Sequence, residues 1–195
     1  MMKKIVFFLA TIFVSSFVFS QSTFEYDVVL TPKVVPGLPG LHSYAFAQHN
    51  GKWLIIGGRK DGVHARQPFN AFPNSQNNNL IYVVDIVTQQ SWSVSLETLS
   101  IGLKEQLQAT NFNFYQDGNA LYVIGGYAYS TSLDDHVTFD KLTSINVPNL
   151  IDSVINGTPI AGNFKQIANP IFQNTGGQLG KIGTNFYLIG GQVFT

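Results

Sequence analysis

Apolar runs that end in a pair of glycines recur three times along the chain. They are KWLIIGG (52–58), ALYVIGG (120–126) and NFYLIGG (185–191), and their first glycines lie 68 and then 65 residues apart. Each run mixes an aromatic residue with aliphatic ones, as β-strands do, and paired glycines favour the turns that end strands. Recurrence at a nearly constant spacing predicts a repeat architecture.

The residues before each run predict another strand and a tight turn. LHSYAFAQHNG (41–51), ATNFNFYQDGN (109–119) and GGQLGKIGT (176–184) lie at matching positions. Asn50-Gly51 and Asp117-Gly118 favour type I′ turns, in which both central residues need a positive φ. In the first unit two more strands follow, NLIYVVDI (79–86) and WSVSLE (92–97). The pattern therefore predicts a four-stranded antiparallel meander over 41–97.

The second unit follows the same plan with longer connections. HVTFDKLTSINV (136–147) is the predicted third strand and NFKQIA (163–168) the fourth. Between these strands, Leu150, Ile151, Val154 and Ile155 share one helical face, and Gly157 suits a C-terminal cap. One short structural helix is therefore predicted within 146–159.

The first unit resembles the kelch motif of β-propellers, an apolar strand ending in Gly-Gly, then Tyr-x-x-Asp, then Trp. The matching residues are Gly57, Gly58, Tyr82, Asp85 and Trp92. The resemblance is partial in the second unit, where Gly125 and Gly126 match, and it is limited to Gly190 and Gly191 in the third. The usual kelch period is about 50 residues, so both spacings imply insertions of roughly 15 residues.

The resemblance implies an all-β fold, namely an incomplete kelch-type β-propeller of about two and a half four-stranded antiparallel blades. It assigns 41–97 to blade 1, 109–168 to blade 2 with insertions, and 176–195 to the first half of blade 3. The alternating stretch TFEYDVVLT (23–31) is then expected to be the outer strand of the last blade. The chain is thus expected to be an N-terminal fragment of a secreted bacterial kelch-like protein. The alternative is a plain antiparallel sandwich with three similar strand ends.

Residues 1–20 have the features of a secretory signal peptide. Lys3 and Lys4 precede the apolar run from Ile5 to Phe19, and small residues stand at Val18 and Ser20, before Gln21. The alternative is a retained anchor, but fifteen residues are short against the roughly 20 that span a bilayer. We therefore expect a secreted, periplasmic or extracellular protein, residues 21–195, with no membrane span after signal removal.

Composition narrows the choice of partners. The chain has 11 basic and 11 acidic residues, and no basic cluster that would neutralise phosphates, so nucleic acid is not expected as a partner. It contains no cysteine, which excludes disulfides, thiolate metal sites and a cysteine nucleophile. Motifs of zinc hydrolases, serine hydrolases and Walker loops do not occur in the sequence. No cofactor, metal or catalytic residue is therefore assigned.

Two inserts provide the candidate ligand-binding loops. The first, RKDGVHARQPFNAFPNSQNNN (59–79), has the densest charge in the chain, and the second is YAYSTSLDDHVTF (127–139). Exposed loops on rigid sheets are a common place for binding residues. The candidates are Arg59, Asp61, His64, Arg66, Tyr127, Tyr129, Asp135 and His136. A solvated loop with no ligand is the alternative for each insert.

The expected function is that of a secreted binding module that contacts a protein or glycan through blade-top loops. The alternative is a carbohydrate-active enzyme, since the resemblance extends to propellers such as galactose oxidase and sialic acid epimerase. Catalytic residues would then lie in blades outside this chain, and no tyrosine–cysteine cross-link of the oxidase type is available without cysteine.

The first prediction concerns export. We expect cleavage after about Ser20 when the full chain is produced in a bacterial host, because a short apolar run after two lysines is followed by small residues. Intact-mass spectrometry of the exported protein checks this, with Ser20→Pro as the variant expected to block cleavage. Exported soluble protein that still begins at Met1 contradicts it.

Overall fold

A computed structural model describes residues 26–62 and 71–194. Strand makes up 44% and helix 18% of the structure, so the fold is all-β in class, with four antiparallel sheets. The chain divides into a short unit ending at Lys33 and a compact unit from Val34 onward. In the short unit, residues 26–31 are extended coil without strand pairing. Residues 1–20, the predicted signal peptide, lie outside the described residues.

The first sheet is the meander predicted for 41–97. Its strands are paired in chain order, each antiparallel to the next: β1 (Ala45–His49), β2 (Lys52–Ile56), β3 (Leu80–Asp85) and β4 (Gln90–Ser95). Asn50 and Gly51, with φ of 48° and 73°, form the predicted turn between β1 and β2. Asp85 accepts the N–H groups of Val87 and Thr88 at 3.0 Å each, which closes the β3–β4 turn.

The other kelch-motif residues of this sheet lie in its apolar layers. Tyr82 is buried with Ile55 and Val84 on one face of the sheet. Trp92 packs against the main core from the other face. The motif therefore stabilises the sheet.

The second sheet has the order β10-β9-β6-β5. Its strands are β5 (Asn113–Asp117), β6 (Ala120–Ile124), β9 (Lys141–Asn146) and β10 (Phe164–Ala168). The β5–β6 turn differs from the prediction, because Gly118 and Asn119 are its two loop residues and only Gly118 has a positive φ. The fourth strand, β10, lies where the sequence predicts it, within 163–168.

The single strand predicted over 136–147 is wrong, because two strands occupy that stretch. A separate hairpin, β7 (Tyr127–Ser130) and β8 (Asp135–Thr138), precedes β9. Phe139 separates β8 from β9; its side chain is buried, and its N–H donates to the carbonyl of Gly126 at 2.9 Å. The insert therefore folds as its own hairpin.

In the described part of the chain, two α-helices connect the strands: α1 (Ile101–Leu107), between the first two sheets, and α2 (Val147–Asn156). Helix α2 confirms the helix predicted within 146–159, with Asn146 as N-cap and Gly157 in the left-handed C-cap conformation. Its buried residues contact β1, β3 and β4 of the first sheet as well as β9. The helix thus joins the two sheets.

The hairpin of the third unit completes the described fold, with β11 (Thr175–Ile182) and β12 (Asn185–Gln192). We call it the third hairpin. Its glycine pair lies inside β12, whereas β2 and β6 end just before theirs. The backbone is nevertheless the same in all three. The first glycines have φ of 67°, 65° and 71°, and the second have 84°, 92° and 82°. Opposite each pair, a residue at or just before the start of the first strand also has a positive φ: these residues are Ser43, Asn111 and Gly176.

The hydrogen bonds between successive units repeat as well. The N–H of Gly58 donates to the carbonyl of Ala109 at 2.8 Å, and the N–H of Gly126 donates to that of Asn174 at 3.1 Å. Asn111 N–H bonds the carbonyl of Ser43 at 3.0 Å, and Gly176 N–H bonds that of Asn111 at 2.9 Å. The first strands β1, β5 and β11 therefore lie next to one another in series.

The main core lies between the first sheet, the second sheet and α2. Its fully buried aliphatic residues come from all three, and they include Leu54, Ile56, Ile81, Leu121, Ile145 and Leu150. This core fixes the two sheets relative to each other.

The second prediction tests the glycine pairs. A Cβ on Gly125 would lie 1.7 Å from the carbonyl oxygen of Asn174, whereas one on Gly118 meets nothing within 4 Å, although both residues have a positive φ. We expect Gly125→Ala to lower the free energy of unfolding by about 3 kcal/mol or more, and Gly118→Ala by about 1–2 kcal/mol from backbone strain alone. Urea unfolding of both variants measures the difference. Equal losses would show that the contact with Asn174 is unimportant.

Candidate functional site

Both inserts and α1 lie at the same end of the sheets. The first insert follows β2, the second follows β6, and α1 leads from β4 into β5, so all three connect the same strand ends. We call this the insert end, formed by residues 59–62, 71–79, 96–110 and 127–140. It contains every described candidate residue from the sequence.

Arg59 is completely buried and organises the first insert. Its Nε and Nη2 donate to the carboxylate of Asp61 at 3.0 and 2.6 Å, and its Nη1 donates to Asn77 at 3.0 Å. The guanidinium also lies 5.1 Å from the ring centroid of Phe72. Because all three nitrogens donate within the protein, Arg59 holds the loop and is not presented to a ligand.

Asp61 is the electrostatic partner in this arrangement. The hydrogen bonds from Arg59 hold the pKa of Asp61 below its usual range, although partial burial opposes the shift. His42 Nε2 lies 3.7 Å from the same carboxylate and has no hydrogen-bond partner. His64 and Arg66 lie outside the described residues.

Tyr127, Tyr129 and His136 of the second insert meet Phe72 of the first. Tyr127 stacks on His136 with ring centroids 5.9 Å apart and contacts Phe72 edge to face at 5.2 Å. Tyr129 contacts His136 edge to face at 5.3 Å, and His136 Nε2 lies 2.9 Å from the carbonyl of Phe72. We call these four residues the aromatic cluster. Three of the sequence candidates are therefore brought together.

The acidic residues beside the cluster raise the pKa of both tyrosines. Burial raises the pKa of Tyr127, and the nearby charge of Asp135 raises it further. A hydrogen bond to Asp134 raises the pKa of Tyr129. Asp135 itself is exposed at the start of β8 and accepts the N–H of His136 at 2.7 Å. Both tyrosines therefore stay neutral and act as hydrogen-bonding, stacking groups.

Glu105 in α1 fixes the turn of the inserted hairpin. Its buried carboxylate accepts hydrogen bonds from the Ser130 and Thr131 hydroxyls and from both the N–H and hydroxyl of Ser132, at 2.8–3.1 Å. Burial alone raises the pKa of Glu105, but these bonds outweigh it and hold the pKa below its usual range.

A polar groove of about 260 Å³ lies between the two inserts and α1. It is lined by Lys60, Asn74, Ser75, Asn77, Asn79, Glu97, Lys104, Gln108 and Thr131. Across it, Lys104 Nζ donates to Glu97 Oε2 at 2.7 Å. In the sequence, Asn74 follows Phe72 by two residues and Thr131 follows Tyr129 by two, so the groove and the aromatic cluster belong to the same loops.

Two further observations concern metal binding and membrane spans among the described residues. Within 26–62 and 71–194, no three His, Asp or Glu side chains are grouped so that they could hold a metal ion. In the same ranges, no helix is long and apolar enough to cross a membrane.

Sequence reasoning missed Glu105 and most of the groove. Glu105 lies in a seven-residue helix that has no strong start or stop pattern, and its partners are 25–27 residues away. Lys104 and Gln108 come from α1 and its C-cap, and Asn79 comes from the first insert. Only the repeat register, which places these segments at one end, could have grouped them.

A comparison of the sequence with protein-family models gives no match, and a comparison with curated proteins also finds none.

The third prediction follows from Glu105. Because its pKa is lower in the folded chain than in the unfolded one, its stabilisation is complete above the unfolded-state value of about 4.3 and is lost as the pH falls through the folded value. Glu105→Gln should cost about 1–3 kcal/mol at pH 7.

Thermal melting of both proteins between neutral pH and pH 3 checks this. The difference in melting temperature between the two proteins should shrink in acid. The stability that Asp61 and Asp85 lose in acid does not affect this difference, because it is lost equally in both proteins. A constant difference would show that Glu105 acts through shape and not through its charge.

Proposed function

We propose that this chain is part of an exported kelch-type β-propeller that binds a glycan through its insert end. The support for a propeller is that the first hairpin of the unit occurs three times with the same glycine conformations, and that the same hydrogen bonds join successive units at both junctions. The first strands lie side by side in series, as the inner strands of propeller blades do.

The groove between the inserts is the observation that favours binding. Its lining combines amide, hydroxyl and charged side chains, which offer both hydrogen-bond donors and acceptors to the hydroxyl groups of a sugar. The adjacent aromatic cluster supplies ring surface for stacking, and Tyr129 and His136 in it are only half-buried. Mixed polar groups beside aromatic rings suit a neutral glycan better than a highly charged ligand.

The loops that line the groove are also held in place. Arg59 anchors the first insert and Glu105 the second, each from a buried position. Because these parts of the loops are already ordered, ligand binding loses less conformational entropy. The enzyme alternative remains an expectation from the resemblance, and no described residue favours it.

The fourth prediction tests this function on an array of neutral and acidic oligosaccharides, followed by calorimetry with the best neutral binder. Ser75→Trp places an indole in the groove and should weaken binding by about tenfold or more. Val87→Trp adds the same group at an exposed turn between β3 and β4 and should leave binding unchanged.

The results separate the possible ligands. Selective binding of acidic oligosaccharides, or equal effects of the two substitutions, would contradict a neutral-glycan groove. If no oligosaccharide binds while the protein is folded by circular dichroism, the glycan proposal fails and a protein ligand becomes the better hypothesis.

A further inference from the structure

A second groove lies beside the inserted hairpin at the insert end, and its volume is about 350 Å³. We call it the second groove, and the polar groove between the inserts and α1 the first groove. Thr131 lines the first groove and Ser132 lines the second. Because these two residues are consecutive, the grooves are neighbours. The carboxylate of Glu105 holds both residues, so the wall between the grooves is fixed.

The two grooves occupy equivalent junctions between units. The first groove is lined by the insert that follows β2 and by the connection from β4 to β5. The second is lined by the insert that follows β6 and by the connection from β10 to β11. In both cases one side is the segment after a glycine pair, and the other leads into the next unit. The groove is therefore a repeated feature of the fold.

One glutamine recurs in this repeated groove. Gln108 comes directly before the residue whose carbonyl accepts the N–H of Gly58. Gln173 comes directly before the residue whose carbonyl accepts the N–H of Gly126. The hydrogen bonds between units therefore place the two glutamines at equivalent positions. Gln108 lines the first groove and Gln173 lines the second.

The side-chain amides of both glutamines have no hydrogen-bond partner among the described residues. Gln108 is nevertheless only 6% exposed, and Gln173 is half-buried. The amide atoms of both still reach solvent, because neither side chain is among those with a fully buried, unpaired polar atom. An amide that is held in a groove and unpaired can both donate to and accept from a ligand, which is what sugar hydroxyl groups require.

Each groove also contains one pair of opposite charges. Lys104 Nζ lies 2.7 Å from Glu97 Oε2 in the first groove, and Lys141 Nζ lies 3.5 Å from Asp140 Oδ1 in the second. Such pairs suit a neutral ligand better than a highly charged one. The second groove adds apolar surface, including the exposed side chain of Leu133, on which the C–H groups of a sugar ring can pack.

We propose that the second groove is a second glycan site, equivalent to the first, and that the two together bind a neutral glycan of repeated sugar units. Gln108 and Gln173 are the residues that contact the ligand at equivalent positions in the two sites. A sugar chain that enters both grooves gains affinity, because its second contact is intramolecular. This inference rests on the proposed function and adds to it a second site and a repeating ligand.

The fifth prediction is tested by calorimetry. The probes are the disaccharides and hexasaccharides derived from cellulose, laminarin and mannan, and those of the neutral glycan that binds best on the array. We expect two disaccharide molecules to bind per chain, one in each groove. The hexasaccharide of the same repeat should bind about tenfold more tightly or better, because one molecule then occupies both grooves.

Methionine substitutions test the two glutamines, since methionine has a chain of similar length and lacks the amide. Gln108→Met and Gln173→Met should each weaken one disaccharide site and lower the hexasaccharide affinity by about tenfold. Neither should change the melting temperature, because neither amide bonds the protein. Gln90→Met is the matched control, since Gln90 is exposed at the start of β4, at the opposite end of the first sheet.

NMR reports whether both glutamines take part in binding. The side-chain amide signals of Gln108 and Gln173 are identified by their loss in the two variants. Both signals should shift as the disaccharide is added, whereas the signal of Gln90 should stay in place.

The outcomes distinguish this inference from the proposed function. If no neutral oligosaccharide binds the folded chain, both fail. One disaccharide per chain, with equal binding by Gln173→Met and Gln90→Met, would overturn the second site and leave the first groove as a glycan site. A hexasaccharide that binds no more tightly than its disaccharide would overturn the joint use of the two grooves.

Discussion

The second glycine of each pair is the point on which the arrangement of units depends. At Gly58 and Gly126 the backbone turns to a positive φ and directs the N–H at a carbonyl of the following unit. The residues that lead into the first strand of the same unit approach so closely that a Cβ on either glycine would overlap them, by contact with His42 or Phe112. Glycine is therefore required twice over, for its conformation and for its lack of a side chain. The second glycine of each pair thus turns the chain at the end of the strand, and its N–H bond holds the following unit in position.

The conformation of the inserts is stabilised in a different way, by buried polar side chains whose hydrogen bonds are made to other groups of the protein. Arg59, Glu105 and Gln106 are buried, in a chain where only 11% of residues are charged. Gln106 donates to the carbonyl of Lys141 and accepts from Thr143, which ties α1 to the second sheet. A buried polar group with every bond satisfied holds one geometry, because each alternative leaves a group unpaired. The described parts of both inserts are thereby held in place without a large core of their own.

The sequence predicts the parts of this structure that are determined locally. Apolar runs, the Asn50-Gly51 turn and the Gly157 cap each depend on neighbouring residues, so the first sheet and α2 were predictable. The inserted hairpin was not, because its turn is held by Glu105 from another segment. The structural role of Arg59 was not predictable for a similar reason: charge in a loop is visible in the sequence, whereas the burial of Arg59 against Asn77 is not.

The two ends of the series of units are physically different, and the difference comes from the chain's own path. On the outer face of the first sheet, Val35, Leu38 and Leu41 pack against the buried cluster of Ile55, Tyr82 and Val84 and so shelter that apolar layer. On the third hairpin, Ile189 remains exposed because no further strand lies over it among the described residues. A repeat unit cannot bury both of its faces alone, so the interface at each glycine pair stabilises both of the units that meet there. Among the described residues, the second sheet therefore gains from two such interfaces, whereas the first sheet and the third hairpin gain from one each.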